Sequence, residues 1–349
     1  MNLSPTLSTA ISNFQLPDPL GFGRVTGPVM FVADYINGAW QAGELMTYEP
    51  IALNPAATSL QFAQQCFEGL KAFWVEQDEP ALFRPDENAK RMARSAERLC
   101  MPEVPHTLFL DGVKAVTQAM KPLIPRRSGE SLYLRPMLYG MDTQYPLAGS
   151  DNFRFAIVCS PSAAYFAKPI SVLVERDACR AAVGGTGDVK AGGNYAGSIQ
   201  ATRRCIERGY DQPLWLDPVE RRLIEELSAM NICAIIDGAL CSPALNGTIL
   251  PGITRATLLT LADDLGMPAL EQPIDINSLL DDIDSGRCSE LFACGTAAIV
   301  NPIAVLADGQ RITRLQQVDA EAARFKAALL GIQEGRSADS RGWMFNSAE

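Results

Sequence analysis

The chain has 349 residues, of which 47% are hydrophobic and 20% are charged, and its formal net charge at pH 7 is −10. This length and composition indicate an ordinary globular protein with room for two domains. The acidic balance argues against nucleic acid and against anionic membranes as partners, because both select clustered lysine and arginine.

Two residue types restrict the possible chemistry. The nine cysteines include no CxxC pair. Because the first residues carry no secretion or transit signal, we expect reduced thiols in a cytoplasmic protein. His106 is the single histidine, which removes most metal sites and most Ser-His-Asp or Cys-His arrangements. We expect no metal and no membrane span, so any chemistry rests on other side chains or on an organic cofactor.

The first half of the chain predicts strands followed by helices. Apolar runs on either side of Asn37-Gly38 indicate a hairpin, and residues 61–75 read as a strand, a turn and a strand. From Pro85 onward, apolar residues recur at helical spacing as far as Cys100. Further predicted elements are a helix over 110–123 and strands over 131–139 and 153–159.

The second half alternates strands with helices. The predicted elements are a strand over 170–175, a helix over 198–209, a hairpin over 213–227, a helix over 253–265, a strand over 289–293 and a helix over 318–331. We expect the last dozen residues to be loose. A linker is placed between the halves, and the mixture of elements predicts an α/β or α+β fold.

The glycine-rich stretch 184–198 is the most unusual part of the chain, because Lys190 lies in its middle. A surface loop with a solvated lysine is one interpretation. The other is a lysine on a tight backbone whose amine forms a Schiff base. Nucleotide-binding patterns do not fit, because Lys190 stands where GxGxxG needs a glycine and no GxxxxGK[ST] occurs.

Three glycine–threonine turns could present backbone N–H groups to an anion. They lie at 185–187, 252–254 and 295–297, and the second leads directly into a predicted helix, whose positive end favours a phosphate. Each turn taken alone is also explained as an ordinary cap. Arg91 is a basic residue on a predicted amphipathic helix, a pattern that is typical of a solvated side chain.

Two adjacent glutamates are the last candidate site residues. Glu225 and Glu226 follow one another in a predicted apolar strand, so one of them can point inward, where it needs a cationic partner, although an exposed strand edge is an equal alternative. A lysine, a carboxylate, the phenol of Tyr195 and a phosphate cradle are together the parts that pyridoxal phosphate requires.

Seven motifs resemble the branched-chain amino acid aminotransferases, which are class IV aminotransferases of fold type IV. In chain order the motifs are FEGLKAF (67–73), LFRPDENAKRMARSAERLCMP (82–102), SLYLRP (131–136), GTGDVKAGGNYAGS (185–198), EELSAMN (225–231), LNGTILPGITR (245–255) and CGTAA (294–298). Their common order makes the resemblance more specific than any one motif.

The resemblance implies roles for individual residues. It implies that Lys190 forms the internal aldimine and then moves the proton, that Glu226 contacts the pyridine nitrogen, and that Tyr195 contacts the ring hydroxyl. The phosphate cradle that it implies consists of Arg91, Ile253, Thr254 and Thr296. The substrate contacts that it implies are Phe22, Phe67, Tyr133, Arg135, Tyr165, Thr296 and Ala297, with Arg135 accommodating the distal carboxylate of glutamate.

The resemblance also implies an architecture and a reaction. It implies a small N-terminal α/β domain (1–165), a linker (166–170), a larger C-terminal pseudo-barrel domain (171–349), and a homodimer that shares residues across its interface. The reaction that the resemblance implies transfers the amino group of leucine, isoleucine or valine to 2-oxoglutarate. A D-amino acid aminotransferase, an aminodeoxychorismate lyase, or a transaminase for aromatic or specialised substrates remains an alternative.

Departures from the family pattern affect the substrate more than the cofactor. Phe62 stands where a pocket tyrosine is common, and Ala229 and Ser228 stand where many members have threonine and glycine, respectively. Ala298 and Asn301 replace the two cysteines of mammalian members, so we expect no thiol redox switch there.

Overall fold

A computed structural model describes residues 3–75, 79–166, 168–316 and 318–348. They form two compact units that are not continuous in the chain. The first unit comprises the described residues up to Tyr165, Lys190–Gly192 and those from Leu330 onward, and the second comprises Phe166–Val189 and Gly193–Leu329. The predicted division at 165 and 171 treats each domain as one segment, so it does not anticipate that Lys190 and the C-terminal residues group with the first unit.

The first unit is a curled antiparallel sheet with helices packed against it. Its helices are α1 (Pro5–Asn13), α2 (Thr58–Gln61), α3 (Pro85–Arg98) and α4 (His106–Met120), with a 3₁₀ turn at Lys121–Leu123. Its strands are β1 (Val29–Ile36), β2 (Ala39–Trp40), β3 (Glu44–Thr47), β4 (Gln65–Phe67), β5 (Leu70–Trp74), β6 (Pro80–Phe83), β7 (Ser131–Gly140), β8 (Phe153–Ser162) and β18 (Met344–Asn346).

The strand order in this sheet is β18-β6-β5-β7-β8-β1-β2, with β3 paired to β1 and β4 paired to β7. The predicted hairpin forms because Asn37 and Gly38 both take positive φ angles, as a two-residue turn between twisted strands requires. Helix α3 buries the face that carries Ala89, Met92 and Ala96 against the core beneath the sheet.

The second unit mixes parallel and antiparallel strand pairs. Its helices are α5 (Gly192–Glu207), α6 (Ile253–Asp264), α7 (Ile276–Ser285) and α8 (Ala320–Gln333), the last continuing into the first unit. Its strands are β9 (Ile170–Val174), β10 (Gln212–Leu216), β11 (Ile224–Leu227), β12 (Asn231–Ile236), β13 (Ala239–Ser242), β14 (Ala269–Glu271), β15 (Cys288–Gly295), β16 (Ile299–Asp308) and β17 (Arg311–Arg314).

Its strand order is β11-β10-β9-β16-β15-β12-β13-β14, with β17 paired to β16. Strand β9 pairs in parallel with both β10 and β16, whereas β12, β15 and β16 are antiparallel neighbours. The two sheets with their helices confirm the predicted mixed α/β class.

Three predicted elements need correction. Helix α4 begins at His106, where the amide of Phe109 bonds to the carbonyl of Pro105, and Pro122 limits its end to a 3₁₀ turn. Helix α5 begins at Gly192 rather than at residue 198, and a local side-chain hydrogen bond from Asn194, in its first turn, to the carbonyl of Val189 offsets the low helix propensity of glycine. The last residues are not loose, since β18 pairs with β6.

Candidate active site

In the first unit the backbone of Lys190 is held on both sides. Its amide donates to Ser95 Oγ at 3.0 Å, and its carbonyl accepts from the amide of Phe67 at 3.1 Å. The adjacent Ala191 forms an isolated bridge with Cys66 of β4. The Lys190 Nζ atom lies 4.8 Å from the centre of the Phe67 ring. Lys190 is therefore not a loosely solvated loop residue, because its chain is pinned to α3 and β4.

A buried ion pair lies beside this lysine. Glu68, with no exposed surface, accepts from Arg91 Nε at 2.7 Å and from Arg91 Nη2 at 2.8 Å. Asn88 Nδ2 and the amide of Gly69 also donate to this carboxylate. Burial by itself raises the pKa of Glu68, but the charge and hydrogen bonds of Arg91, with the charge of Lys190, lower it below its usual value. Glu68 is thus an ionised carboxylate in the interior.

Phe22, Phe67, Tyr133, Arg135 and Tyr165, all predicted substrate contacts, lie together in the first unit. Phe22 packs edge-to-face against Tyr133 and Tyr165, with ring centres 5.2 and 5.0 Å apart. The Arg135 guanidinium lies 4.7 Å from the Phe67 ring centre and donates to Tyr133 Oη at 2.8 Å. Arg135 Nε is buried and has no hydrogen-bond partner among the described residues. The cluster combines aromatic walls with one guanidinium that can still donate.

Gly69 leaves space for this cluster. A Cβ atom added at this position would lie 2.1 Å from Tyr133 Oη, which is closer than any real contact. Position 69 therefore requires glycine so that Tyr133 can reach Arg135.

In the second unit the Glu226 carboxylate is buried and hydrogen-bonded. It pairs with Arg180 Nη2 at 2.7 Å, with only 5% of either side chain exposed. Asn231 Nδ2 donates to Glu226 Oε2 at 3.0 Å, and the amide of Leu250 donates to Oε1 at 3.2 Å. Both adjacent glutamates are buried. Glu225 accepts a hydrogen bond from the hydroxyl of Thr248. The alternative in which both glutamates lie on an exposed strand edge is wrong, because every residue of β11 is buried.

The predicted phosphate turns of the second unit lie close to Glu226 in the sheet. Helix α6 begins at Ile253 with Thr254 in its first turn, and no acidic residue occupies that turn. Asn231, which bonds to Glu226, also donates to the carbonyl of Leu250, just before this helix. In the sheet register Asn231 faces Cys294, next to the turn that carries Thr296 and Ala297.

The loop before Lys190 is ordered by one side chain of α5. Asn194 donates to the carbonyls of Thr186 and Val189 at 2.6 and 2.9 Å, and the Thr186 hydroxyl donates to Asn194 Oδ1. Tyr195 follows in the first turn of α5 and is half-buried. In the first glycine–threonine turn, the hydroxyl and the carbonyl of Thr186 are both bonded to Asn194. This is consistent with a phosphate site elsewhere.

Several residues that bond to the predicted site residues were not predicted from the sequence. Glu68, Asn88 and Ser95 belong to motifs that carry the family resemblance, yet nothing local in the sequence indicates their contacts. Arg180 is likewise missed, although it bonds to Glu226 and to the carbonyls of Gly187 and Thr248. A basic residue just before the glycine-rich loop was the signal available for it.

Positions at which this chain differs from the family pattern make contacts of their own. The Ser228 hydroxyl bonds with Thr202 Oγ1 at 3.0 Å and accepts from Trp215 Nε1 at 3.3 Å. Phe62 lies just after α2 and is 36% exposed. Asn301 is buried and donates to the carbonyl of Lys168.

The side chains present suit pyridoxal phosphate. The second unit supplies a buried carboxylate for a protonated ring nitrogen, and a helix N-terminus whose first turn carries no competing acid for a phosphate. A Cβ atom at Gly252, just before that helix, would lie 1.9 Å from Asn231 Oδ1, so glycine at this position leaves room for the Asn231 side chain that bonds to Glu226. The first unit supplies the lysine amine and the buried guanidinium of Arg91.

Metal clusters and membrane-spanning helices are not found in the described part of the chain. In those ranges, no group of three or more His, Cys, Asp or Glu side chains is placed to hold a metal ion. None of the described helices has the length and apolar character needed to cross a membrane.

Comparison with known proteins gives a consistent result. A Streptomyces coelicolor protein named probable branched-chain-amino-acid aminotransferase is 38% identical over 337 residues, covering 94% of this chain and 92% of the relative. A Mycobacterium tuberculosis branched-chain-amino-acid aminotransferase is 39% identical, covering 93% and 91%. The crystal structure of the branched-chain aminotransferase from the thermophilic archaeon Thermoproteus uzoniensis, with norvaline, superposes with a TM-score of 0.73 at 26% identity, covering 90% and 99%.

The family profile gives the same answer over most of the chain. The profile described as "Amino-transferase class IV" matches residues 65–306, which include Lys190, Glu226 and Thr296. The chain therefore belongs to the branched-chain amino acid aminotransferases of the pyridoxal-phosphate-dependent class IV aminotransferase family.

Proposed function

We propose that this aminotransferase moves the amino group of L-leucine, L-isoleucine or L-valine to 2-oxoglutarate and forms L-glutamate. The observation that carries this proposal is the Phe67 ring, which has Lys190 Nζ 4.8 Å from its centre and the Arg135 guanidinium 4.7 Å from it. One aromatic ring thus lies near both the lysine amine and a guanidinium that can bind an anion. Such a surface suits both an apolar branched side chain and a substrate that carries a second carboxylate.

The chain's own residues would divide the chemistry. When bound, pyridoxal phosphate supplies an electron sink for the carbanion that forms when the substrate loses its α-proton. We assign to Lys190 Nζ the removal of that proton from the substrate and its delivery to a carbon of the cofactor, to Glu226 the retention of a proton on the ring nitrogen, and to Tyr195 a hydrogen bond to the ring hydroxyl.

Two groups of residues would anchor the ligands. Arg91, the amides of Ile253 and Thr254, and Thr296 would hold the phosphate, because a guanidinium and a helix N-terminus both favour such an anion. The turn at Thr296 and Ala297 would receive the substrate α-carboxylate.

Dual specificity would depend on Arg135. Its guanidinium is fixed by Tyr133 Oη, and its buried Nε lacks a partner among the described residues. A distal carboxylate can pair with the charge of the Arg135 guanidinium, whereas leucine can pack on Phe22, Phe67 and Tyr165. Replacing Arg135 by glutamine should therefore raise the KM for glutamate and 2-oxoglutarate more than the KM for leucine.

The decisive experiment measures amino transfer to 2-oxoglutarate from L-leucine, L-isoleucine, L-valine, L-phenylalanine and D-alanine, with pyridoxal phosphate present. We expect the highest kcat/KM with a branched-chain L-amino acid. Best turnover of D-alanine would identify instead a D-amino acid aminotransferase, and best turnover of L-phenylalanine an aromatic specialist.

A pair of lysine variants tests the reacting amine. Lys190→Ala should abolish transfer and remove the visible absorbance of the bound cofactor. Lys90→Ala serves as the control, because Lys90 is an exposed α3 lysine that pairs with Asp86 and Glu87. Full activity of the Lys190→Ala enzyme would refute the assignment.

We further propose a cytoplasmic homodimer. No disulfide links the cysteines in the described part of the chain, as expected in a reducing compartment. Tyr145 and Leu147 are 81% and 89% exposed, and we propose that a second copy of the chain covers them. Light scattering on the purified protein should give twice the mass of one chain, and a monomer would contradict the proposal.

A further inference from the structure

We propose that Glu68 is a positioning residue, whose buried carboxylate holds Arg91 in the orientation from which Arg91 binds the phosphate of the cofactor. The proposal rests on the proposed function, in which Arg91 is a phosphate ligand.

The contact between the two residues is unusually constraining. Glu68 is fully buried and Arg91 is only 4% exposed. Two parallel hydrogen bonds, of 2.7 and 2.8 Å, join the carboxylate to Nε and Nη2 of the guanidinium. Because the guanidinium is planar, two such bonds fix both its position and its plane. The remaining amino group is thereby aimed in one direction.

The carboxylate is itself fixed. Glu68 Oε2 accepts from Asn88 Nδ2 at 2.7 Å and from the amide of Gly69 at 3.2 Å. Asn88 and Arg91 both belong to α3, so the helix holds Glu68 at two points. A group locked by its own neighbours can orient another with little loss of conformational entropy on binding.

The same helix also holds the reactive lysine. Ser95 Oγ donates to the carbonyl of Arg91 at 2.9 Å and accepts from the amide of Lys190 at 3.0 Å. One turn of α3 therefore carries Arg91, whose guanidinium Glu68 holds, and also holds the backbone of Lys190. Loss of Glu68 should disturb the first of these and leave the second in place.

A second ion pair in the same unit provides a matched control. Arg154 donates to Asp34 through Nε at 2.6 Å and Nη2 at 2.8 Å, with the same forked geometry. That pair joins β1 to β8, and its side chains are 28% and 30% exposed. Asp34→Asn therefore removes a similar pair that none of the assigned cofactor contacts includes.

The experiment titrates the apo-protein with pyridoxal phosphate and, separately, with pyridoxal, which lacks the phosphate. The quantity compared is the ratio of the two dissociation constants, together with KM and kcat of the reconstituted enzyme. We expect Glu68→Gln and Glu68→Asp to lower the preference for pyridoxal phosphate at least tenfold while pyridoxal binding stays unchanged. Asp34→Asn should leave the preference as in the wild type.

Combining substitutions tests whether Glu68 acts through Arg91. In an Arg91→Gln background, Glu68→Gln should cause no further loss of preference, because the group that it orients is gone. Glu68→Asp keeps the buried negative charge, so it carries the test if Glu68→Gln does not fold.

Three outcomes would overturn the inference. They are an unchanged preference in Glu68→Asp, an increased preference in Glu68→Gln, or an equal weakening of both ligands, which indicates a purely structural role. Failure of the proposed function is distinguishable, because a wild-type protein that does not transaminate branched-chain amino acids can still prefer pyridoxal phosphate to pyridoxal.

Discussion

Each unit of the molecule contains a buried arginine–glutamate pair, and the two pairs have opposite assignments. In the first unit the arginine, Arg91, is the proposed ligand contact and Glu68 orients it. In the second unit the carboxylate, Glu226, is the proposed ligand contact and Arg180 lies beside it at 2.7 Å. The same pair of functional groups therefore presents a cation in one unit and an anion in the other.

The two pairs also differ in how completely the supporting residue is hydrogen-bonded. In the first unit the supporting residue, Glu68, is saturated by Arg91, Asn88 and Gly69. In the second, Arg180 Nε is buried without a hydrogen-bond partner among the described residues. A buried pair contributes little net stability, because desolvation offsets the attraction. What such a pair contributes is geometry.

Removal of Arg180 should give the largest effect on stability. Arg180→Gln leaves the Glu226 carboxylate buried without its cation, which costs about 3–5 kcal/mol in the free energy of unfolding. Denaturant unfolding of the apo-protein measures this loss. The double variant Arg180→Gln/Glu226→Gln should lose less than the single variant, and an equal or greater loss would show that the ion pair is not the cause.

Glu226→Gln should give the next largest effect, and that effect falls on catalysis. A neutral amide cannot stabilise a protonated ring nitrogen, so we expect kcat to fall roughly 100-fold or more. The preference for pyridoxal phosphate over pyridoxal should stay unchanged, in contrast to the Glu68 variants. Steady-state kinetics and ligand titration separate the two pairs, and a loss of phosphate preference in Glu226→Gln would erase the distinction.

Gly69→Ala should have a smaller effect that is confined to the first unit. The new methyl group would collide with Tyr133 Oη and displace the partner of Arg135. We expect the KM for 2-oxoglutarate to rise roughly tenfold, equivalent to one hydrogen bond to a charged group. If the KM values for leucine and 2-oxoglutarate rise equally, Tyr133 does not act through Arg135.

Two buried glutamates, Glu68 and Glu225, have pKa values shifted in opposite directions, so their contributions to stability should depend on pH in opposite ways. The pKa of Glu68 is lowered, so its stabilising contribution is present above the ordinary glutamate pKa and is lost as pH falls through the folded-state value. Burial raises the pKa of Glu225, so its contribution is present below the ordinary pKa and is lost as pH rises through the folded-state value.

Glu225→Gln should therefore raise the Tm modestly at pH 7 and leave it nearly unchanged at about pH 4, below the ordinary glutamate pKa, where Glu225 is already protonated. Calorimetry at the two pH values checks the sign. A lower Tm at pH 7 would mean that the hydrogen bond from Thr248 outweighs the desolvation of the ionised carboxylate.

Local pattern was sufficient for many elements. The Asn37-Gly38 hairpin and α3 were predicted because turn chemistry and the helical spacing of apolar residues are properties of short segments. The start of α5 and strand β18 were missed, because one depends on the side chain of Asn194 and the other on pairing with β6. The residue type of Asn194 does not show which carbonyls it will meet, and the partner strand of β18 lies far away in the chain.

For the site, the sequence by itself singled out Lys190, Tyr195 and a carboxylate of the 225–226 pair as candidates, because a lysine among glycines, a single histidine and the order of the family motifs can all be read along the chain. Only the tertiary structure decided that both glutamates are buried, that Glu68 engages Arg91 across 23 positions of sequence, and that Ser95 holds Lys190. The physical reason is that burial and hydrogen-bond partners arise from residues distant in the chain, and no periodicity within a short segment records which of them will meet.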